Sequence, residues 1–421
     1  MSETRPVSVR GGSAGIEAHC EQMFTLARLY AEAALESGEQ ALVLHGYLIH
    51  PSVLAATALD PIGAADFAAE MLAALDGPAG LSWRAVDWVL LGAGLRGGAL
   101  AYLAADRIEQ QVVPSVHGIA DAVPAVVATA PRLARGDIGG AADEFVARDP
   151  GLADLTVNAV TRFWTDYALV DSVAAWPDGR AKVTAAGVDG SAGDPPRDLP
   201  ALLSGLARRN RGRGGDIDVR IVIGPGGARR VIADIPGTKN WSVSPRERDV
   251  TSAGTNFRAI SGARTSYQEG VLEALRLAGV TSADEILLVG HSQGGMVAVN
   301  TAAESARTGE FRITHVVTAG APIARLAVPR SVQVLAVEND GDVVPHCDGA
   351  GNPDRTNITT VTVHRNHGEI DQNHSLEDSY LSGAGDIAAS RDASARDYLA
   401  GLRPFLTGDR VQTQVFHIER R

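Results

Sequence analysis

Ser292, in the run Gly290-His291-Ser292-Gln293-Gly294, has the residue type and the setting of a nucleophile. A G-x-S-x-G run forms a strained strand-to-helix turn that lifts a serine hydroxyl clear of a sheet, and its glycines leave room where the backbone reverses. Such a serine needs a base, and the base needs an acid to orient it. On this kind of turn the chain order is Ser, then Asp or Glu, then His. Downstream, Asn339-Asp340-Gly341-Asp342-Val343-Val344-Pro345 supplies two acids. Asp342 is preferred, because the Val-Val-Pro stretch buttresses its loop; Asp340 reads as a turn cap. Three candidate bases follow: His364 at a strand end, His367, and His374 directly before Ser375, a helix N-cap candidate with Asp378 three residues on. His374 is preferred as the base, since a loop at a helix entrance lets an imidazole swing over the serine. One oxyanion donor is expected from the N–H of Gln293, the other from the Gly237-Thr238 turn, with the Thr238 hydroxyl as a possible addition.

The surrounding elements fit those roles. From residue 216 strands alternate with helices. DIDVRIVIGPGGARRVIADIPG reads as a hairpin, SYQEGVLEALRLAG as a helix, EILLVG as a buried strand and MVAVNTAAESAR as the helix after the serine. Further strands are expected near THVVTAG, SVQVLAVEN and NITTVTVH. This grammar predicts an α/β fold, a mostly parallel sheet with helices on both faces. The first half reads differently: IEAHCEQMFTLARLYAEAAL and later runs have helical spacing and almost no strand alternation. The expected organisation is a helical N-terminal domain over 1–176, a linker over 177–215 and a catalytic domain over 216–421. Within that linker, RRNRGRGG at 208–215 reads as a solvated stretch, with contact to a polyanion as the alternative.

Four motifs in one order carry a family likeness. IPGT, VGHSQGG, VVTAGAP and NDGDVVP resemble the oxyanion segment, elbow, following strand and acid loop of α/β-hydrolases of the class 3 lipase type. The resemblance implies hydrolysis of an acyl ester, lipid esters included, through a Ser292-His374-Asp342 triad and an acyl-enzyme. Thioesterase and acyltransferase chemistry use the same parts, and a non-catalytic interaction module on the same scaffold is the rival. The loop 239–266, with Trp241 and Phe257, is the expected lid or acyl-pocket wall, and His291 is a further pocket candidate. More faintly, the first half is similar to WXG100-like domains of type VII secretion substrates. Tyr102-Leu103-Ala104-Ala105-Asp106 fits their Y-x-x-x-D signal, but no Trp-x-Gly turn is present. That likeness implies export without a signal peptide, or a helical partner for this domain.

Composition sets the outer bounds. The chain has 421 residues, 45% hydrophobic and 21% charged, enough for a substantial core. Its formal charge of -12 argues against nucleic acid as a general partner. No basic-then-apolar leader opens the sequence, and no window has the roughly 20 uncharged apolar residues of a membrane span. A cytoplasmic or signal-independent exported protein is expected. The two cysteines, Cys20 and Cys347, rule out a disulfide framework. Gly92-Ala93-Gly94-Leu95-Arg96-Gly97 spells G-x-G-x-x-G, but no acid ends a second strand behind it, so close helix packing accounts for it better than a dinucleotide. His364, His367, Asp371 and His374 lack zinc-helix spacing, and DGAGNPD at 348–354 lacks EF-hand spacing. No cofactor and no metal are expected.

Overall fold

Side chains that alternate along strands and recur every three to four residues along helices must find two faces and one stripe to bury. The structure, a computed structural model, describes residues 7–53, 59–77, 79–89, 91–92, 95–96, 99, 178–189, 194–240, 242, 247–348 and 350–421. It divides into two compact units, Ile16–Glu109 and a larger one of Met1–Gly15 with Gln110–Arg421.

The larger unit is a nine-stranded sheet. Its strands are β1 (Ser8–Gly11), β2 (Ala181–Asp189), β3 (Asp216–Ile223), β4 (Arg229–Ile235), β5 (Glu285–His291), β6 (Arg312–Ala319), β7 (Gln333–Asn339), β8 (Ile358–Val363) and β9 (Arg410–Arg420). Their order is β1-β8-β7-β6-β5-β4-β3-β9-β2. Strands β4 to β8 run parallel, and antiparallel pairs close both edges. Alternation along β5 sorts the core. Ile286 and Leu288 face one layer, and Leu287 and Val289 face the other, all fully buried. An α/β fold with helices on both faces is therefore what the strand-helix grammar predicted.

In the other unit, α1 (Ile16–Leu48) packs against α2 (Pro61–Asp76). Residues 81–89 are also helical. Gly92 lies against α1, where a Cβ would stand 3.0 Å from the Ala27 carbonyl oxygen; close helix packing is what this glycine does. An open groove of about 900 Å³ is lined by Phe24, Ala27, Ala31, Val86 and Val89. The Y-x-x-x-D run at 102–106 and the helical runs up to 176 lie outside the described residues.

In the larger unit the helices are α3 (Leu199–Asn210), α4 (Ala253–Ile260), α5 (Ser266–Leu277), α6 (Gln293–Thr308), α7 (Ile370–Asn373), α8 (Ser382–Ala388) and α9 (Ala393–Leu406). Residues of α5 and α6 fill one core layer, and those of α3, α8 and α9 the other.

Two expectations are corrected here. The stretch 177–215 is not a plain linker, because β2 pairs with β9 and α3 is built into the core. Leu199, Leu202, Leu203 and Leu206 are all buried, Asp198 caps the helix by accepting from the Ala201 N–H at 2.8 Å, and Pro200 sits in its first turn. Burying that leucine stripe outweighs the Gly, Pro and Asp content around it. Nor is the N-terminus wholly helical: β1 pairs with Thr359–Thr362 of β8.

Candidate active site

Strand β5 ends at His291 and α6 begins at Gln293, so Ser292 alone makes the turn. It adopts φ 54° and ψ −123° and is the one non-glycine residue with positive φ among the described residues. Such a conformation costs on the order of 1–3 kcal/mol and must be held by its surroundings. The Ser292 N–H donates to the Ala319 carbonyl at 2.8 Å, and the Gly295 N–H returns to the Ser292 carbonyl at 2.9 Å. A side chain at Gly290 would run into the Gly294 carbonyl, and one at Gly294 into the Ile235 carbonyl. Both glycines of the motif are thus required by the backbone around them.

The acid and base expected from the sequence meet. His374 Nδ1 lies 2.7 Å from Asp342 Oδ2. A carboxylate only accepts, so the proton sits on Nδ1 and leaves Nε2 with a free lone pair. The Asp342 side chain is fully buried and the His374 ring is 20% exposed. Two more donors hold that carboxylate. The Tyr380 hydroxyl donates to Oδ2 at 2.5 Å, and the Val344 N–H donates to Oδ1 at 2.9 Å. Ser375 caps the turn after the base by accepting from the Asp378 N–H at 3.2 Å.

Two buried asparagines tie the acid loop to the base loop. Asn339 Nδ2 donates to the Asn373 carbonyl at 3.0 Å, and Asn373 Oδ1 accepts from the His367 N–H at 2.7 Å. The alternative acid and alternative base find each other instead: His364 Nδ1 lies 2.7 Å from Asp340 Oδ2 at the surface.

His291 is not arranged as a pocket wall. Its ring is buried and sits 4.8 Å from the His374 ring, with Nε2 2.9 Å from the His374 carbonyl oxygen. A carbonyl only accepts, so Nε2 carries the proton. Burial, reinforced by the neighbouring His374, pushes the His291 imidazole down to about 3. It is therefore neutral wherever His374 can act as a base.

The Gly237-Thr238 turn lies against the serine. A Cβ on Gly237 would stand 3.0 Å from the Ser292 Cβ. The Gly237 N–H faces Asn210 Oδ1 at 3.4 Å. Asn256 joins this turn to the elbow: Gln293 Nε2 donates to its Oδ1 at 2.7 Å, and its Nδ2 donates to Thr238 Oγ1 at 3.0 Å. Gln293 Nε2 also donates to the Ser252 carbonyl at 2.8 Å. The side chain of Gln293 is thus structural, while its backbone N–H opens α6.

The stretch read as a lid carries α4, whose inner face is built into the protein through buried Thr255 and Arg258. Arg420 pins it further, donating to Thr255 Oγ1 at 2.9 Å and Ser266 Oγ at 3.1 Å. Phe257 is 41% exposed on the outer side, and Trp241 lies outside the described residues. Sequence reasoning missed Tyr380 and Asn256 as site residues. Tyr380 was visible in NHSLEDSY, whereas nothing local marked Asn256.

Among the described residues no group of three His, Cys, Asp or Glu side chains is placed to hold a metal ion, and Cys20 and Cys347 are not joined in a disulfide. No helix there is long and apolar enough to cross a membrane.

A sheet of this kind with a serine turn at the end of a central parallel strand defines the α/β-hydrolase class. The lipase (class 3) family matches residues 231–351, a span that holds Gly237, Ser292 and Asp342 and stops short of His374. This supports a lipase- or esterase-like hydrolase. The match leaves the helical unit, and with it the WXG100-like resemblance, without support. Among solved structures, the monoclinic form of a Pyrobaculum calidifontis esterase is similar at 13% identity and TM-score 0.23, over 48% of this chain and 92% of that one. The hyperthermophilic esterase from the archaeon Pyrobaculum calidifontis is similar at 13% identity and TM-score 0.19, over 59% and 90%. None of the curated proteins compared matches the chain.

Proposed function

We propose that the larger unit is a serine hydrolase of acyl esters that works through an acyl-enzyme. The observation that carries this reading is the 2.7 Å bond between His374 Nδ1 and the buried Asp342, with the His374 ring 4.8 Å from that of His291, the residue before a serine held at φ 54°. His374 Nε2 takes the Ser292 hydroxyl proton as Oγ attacks the acyl carbonyl. Asp342 keeps the imidazole in the right tautomer and stabilises the imidazolium that forms. The N–H of Gln293 at the start of α6, together with the Gly237-Thr238 turn, holds the negative oxygen, and the positive end of the helix dipole adds to that field. The same imidazolium gives its proton to the leaving alcohol. Water then repeats the sequence on the acyl-enzyme and frees the acid.

A fluorophosphonate probe tests this directly. Strong labelling of the parent that vanishes in Ser292→Ala and in His374→Ala is the expected result. Labelling that survives in Ser292→Ala, or a folded parent that takes no label, would sink the proposal.

A second reading concerns the helical unit, which holds most of the exposed large apolar side chains, among them Leu42, Ile49, Leu59 and Ile62. That apolar surface and its groove favour binding of an amphipathic helix as a separate task. Titration of the full chain with such a peptide, with a Phe24→Asp variant as control, checks it.

A further inference from the structure

The basic run 208–213 is a sequence motif that the triad does not use, and the fold brings it to the Gly237-Thr238 turn. Asn210, the last residue of α3, faces the Gly237 N–H with its side chain. Its carbonyl accepts from the ammonium of Lys239. Because one residue meets both groups, Lys239 Nζ stands about one residue's width from the oxyanion turn. On the other flank Arg211 Nε lies 3.1 Å from Glu377 Oε1, three residues after His374. The end of α3 therefore touches both the oxyanion loop and the base loop.

The charges at this edge do not cancel. Arg209 is turned inward, 2.8 Å from Asp218 and 3.6 Å from Asp216. Arg208, Arg211 and Arg213 are exposed, as is Lys239. Glu377 and Asp249 are the carboxylates that act on Lys239, and neither forms an ion pair with it. Asp249 Oδ1 is occupied by the Thr251 N–H and hydroxyl. Arg211 thus has Glu377 as its partner while Lys239 has no carboxylate of its own, in a chain whose net charge is -12. Although Lys239 is exposed as a residue, its ammonium is drawn against the Asn210 carbonyl, and desolvation there lowers its pKa. Its field also reaches His291 in the elbow.

We infer that the site takes acyl esters bearing an anionic group, carboxylate or phosphate, near the scissile bond, with Lys239 as its main counter-charge and Arg211 as support. This rests on the hydrolase reading above. An ammonium held by one carbonyl and no carboxylate keeps donors for an incoming anion, and such a charge-assisted contact is stronger than a neutral one. The anionic group then draws the ester carbonyl toward the Gly237-Thr238 turn.

Two matched pairs test the inference: p-nitrophenyl butyrate against p-nitrophenyl hemisuccinate, and monoacylglycerol against lysophosphatidic acid. The first pair puts the anion on the acyl side and the second on the alcohol side of a lipid, so together they separate a small acid from a lipid headgroup. The expected result is a kcat/KM about tenfold higher for the anionic member of at least one pair, carried mainly in KM. The ratio of anionic to neutral kcat/KM should fall to about one in Lys239→Met, recover in Lys239→Arg and shrink in high salt. A parent that favours the neutral member in both pairs overturns the inference. So does a preference that survives Lys239→Met. Fluorophosphonate labelling, read in parallel, separates the two levels. Labelling without anion preference rejects this inference and leaves the hydrolase standing. No labelling and no turnover reject both.

Discussion

Tyr380 donates its hydroxyl to Oδ2 of Asp342, the same oxygen that holds His374. Both residues are buried, and the hydroxyl fixes the direction in which the carboxylate meets the imidazole. Replacing Tyr380 with Phe leaves the shape and removes one charge-assisted bond. The expected loss is about 1–2 kcal/mol of stability and roughly tenfold in kcat. Denaturant melts and steady-state kinetics on a neutral ester check both.

Asn256 offers a cleaner separation of catalysis from folding. It joins Gln293 to Thr238 across the two backbone segments proposed to hold the oxyanion. Asn256→Ala frees those segments to drift apart without touching the triad. A fall in kcat on the order of 10–100-fold with little change in KM is expected, in line with weakening one oxyanion donor. A fall confined to KM would assign Asn256 to substrate binding instead.

His291 predicts a pH effect on stability. Burial sets its folded pKa at about 3, below the ordinary value of 6.5. The unfolded chain therefore binds a proton that the folded chain refuses between those values, and stability is lost as pH falls from about 6.5 toward 3. The slope is about 1.4 kcal/mol per pH unit for one proton. His291→Asn removes this group, so the variant should be less stable than the parent at pH 8 and approach or overtake it near pH 4. Parallel urea titrations measure the difference. A constant gap from pH 8 to pH 4 would contradict the assignment.

Leu203 tests whether α3 belongs to the core. It is fully buried in the layer shared with β5, β7 and α9. Leu203→Ala should cost about 2–5 kcal/mol, as other buried leucines do. A surface linker would give a change within about 0.5 kcal/mol. A melting curve is enough to decide.

How much of this was legible follows from the range of the interactions. The Ser292 turn is a local device: two glycines, an apolar strand before and a helix after it, all within twenty residues. So are the acid loop at Asp342 and the N-cap at Ser375. Chain order then limits the base to the histidines after Asp342. The linker reading failed for a local reason too, since turn-forming residues around 177–198 drew attention from the Leu199, Leu202, Leu203 and Leu206 stripe. Strand β2 alternates apolar and polar residues only over its first half, where Ala181 and Val183 meet the core, and is held by pairing with β9.

The sequence by itself determined which chemistry to propose, because the proposed nucleophile, acid and bases are residue types at fixed local spacings. Only the tertiary structure chose His374 over His364 as the partner of Asp342, because that choice depends on which loop the sheet brings within 2.7 Å. It alone set Tyr380 on the carboxylate, Asn256 between the oxyanion segments and the end of α3 beside Lys239. Those contacts join residues 18 to 38 positions apart, and their energy comes from desolvated, directional bonds that no local pattern encodes.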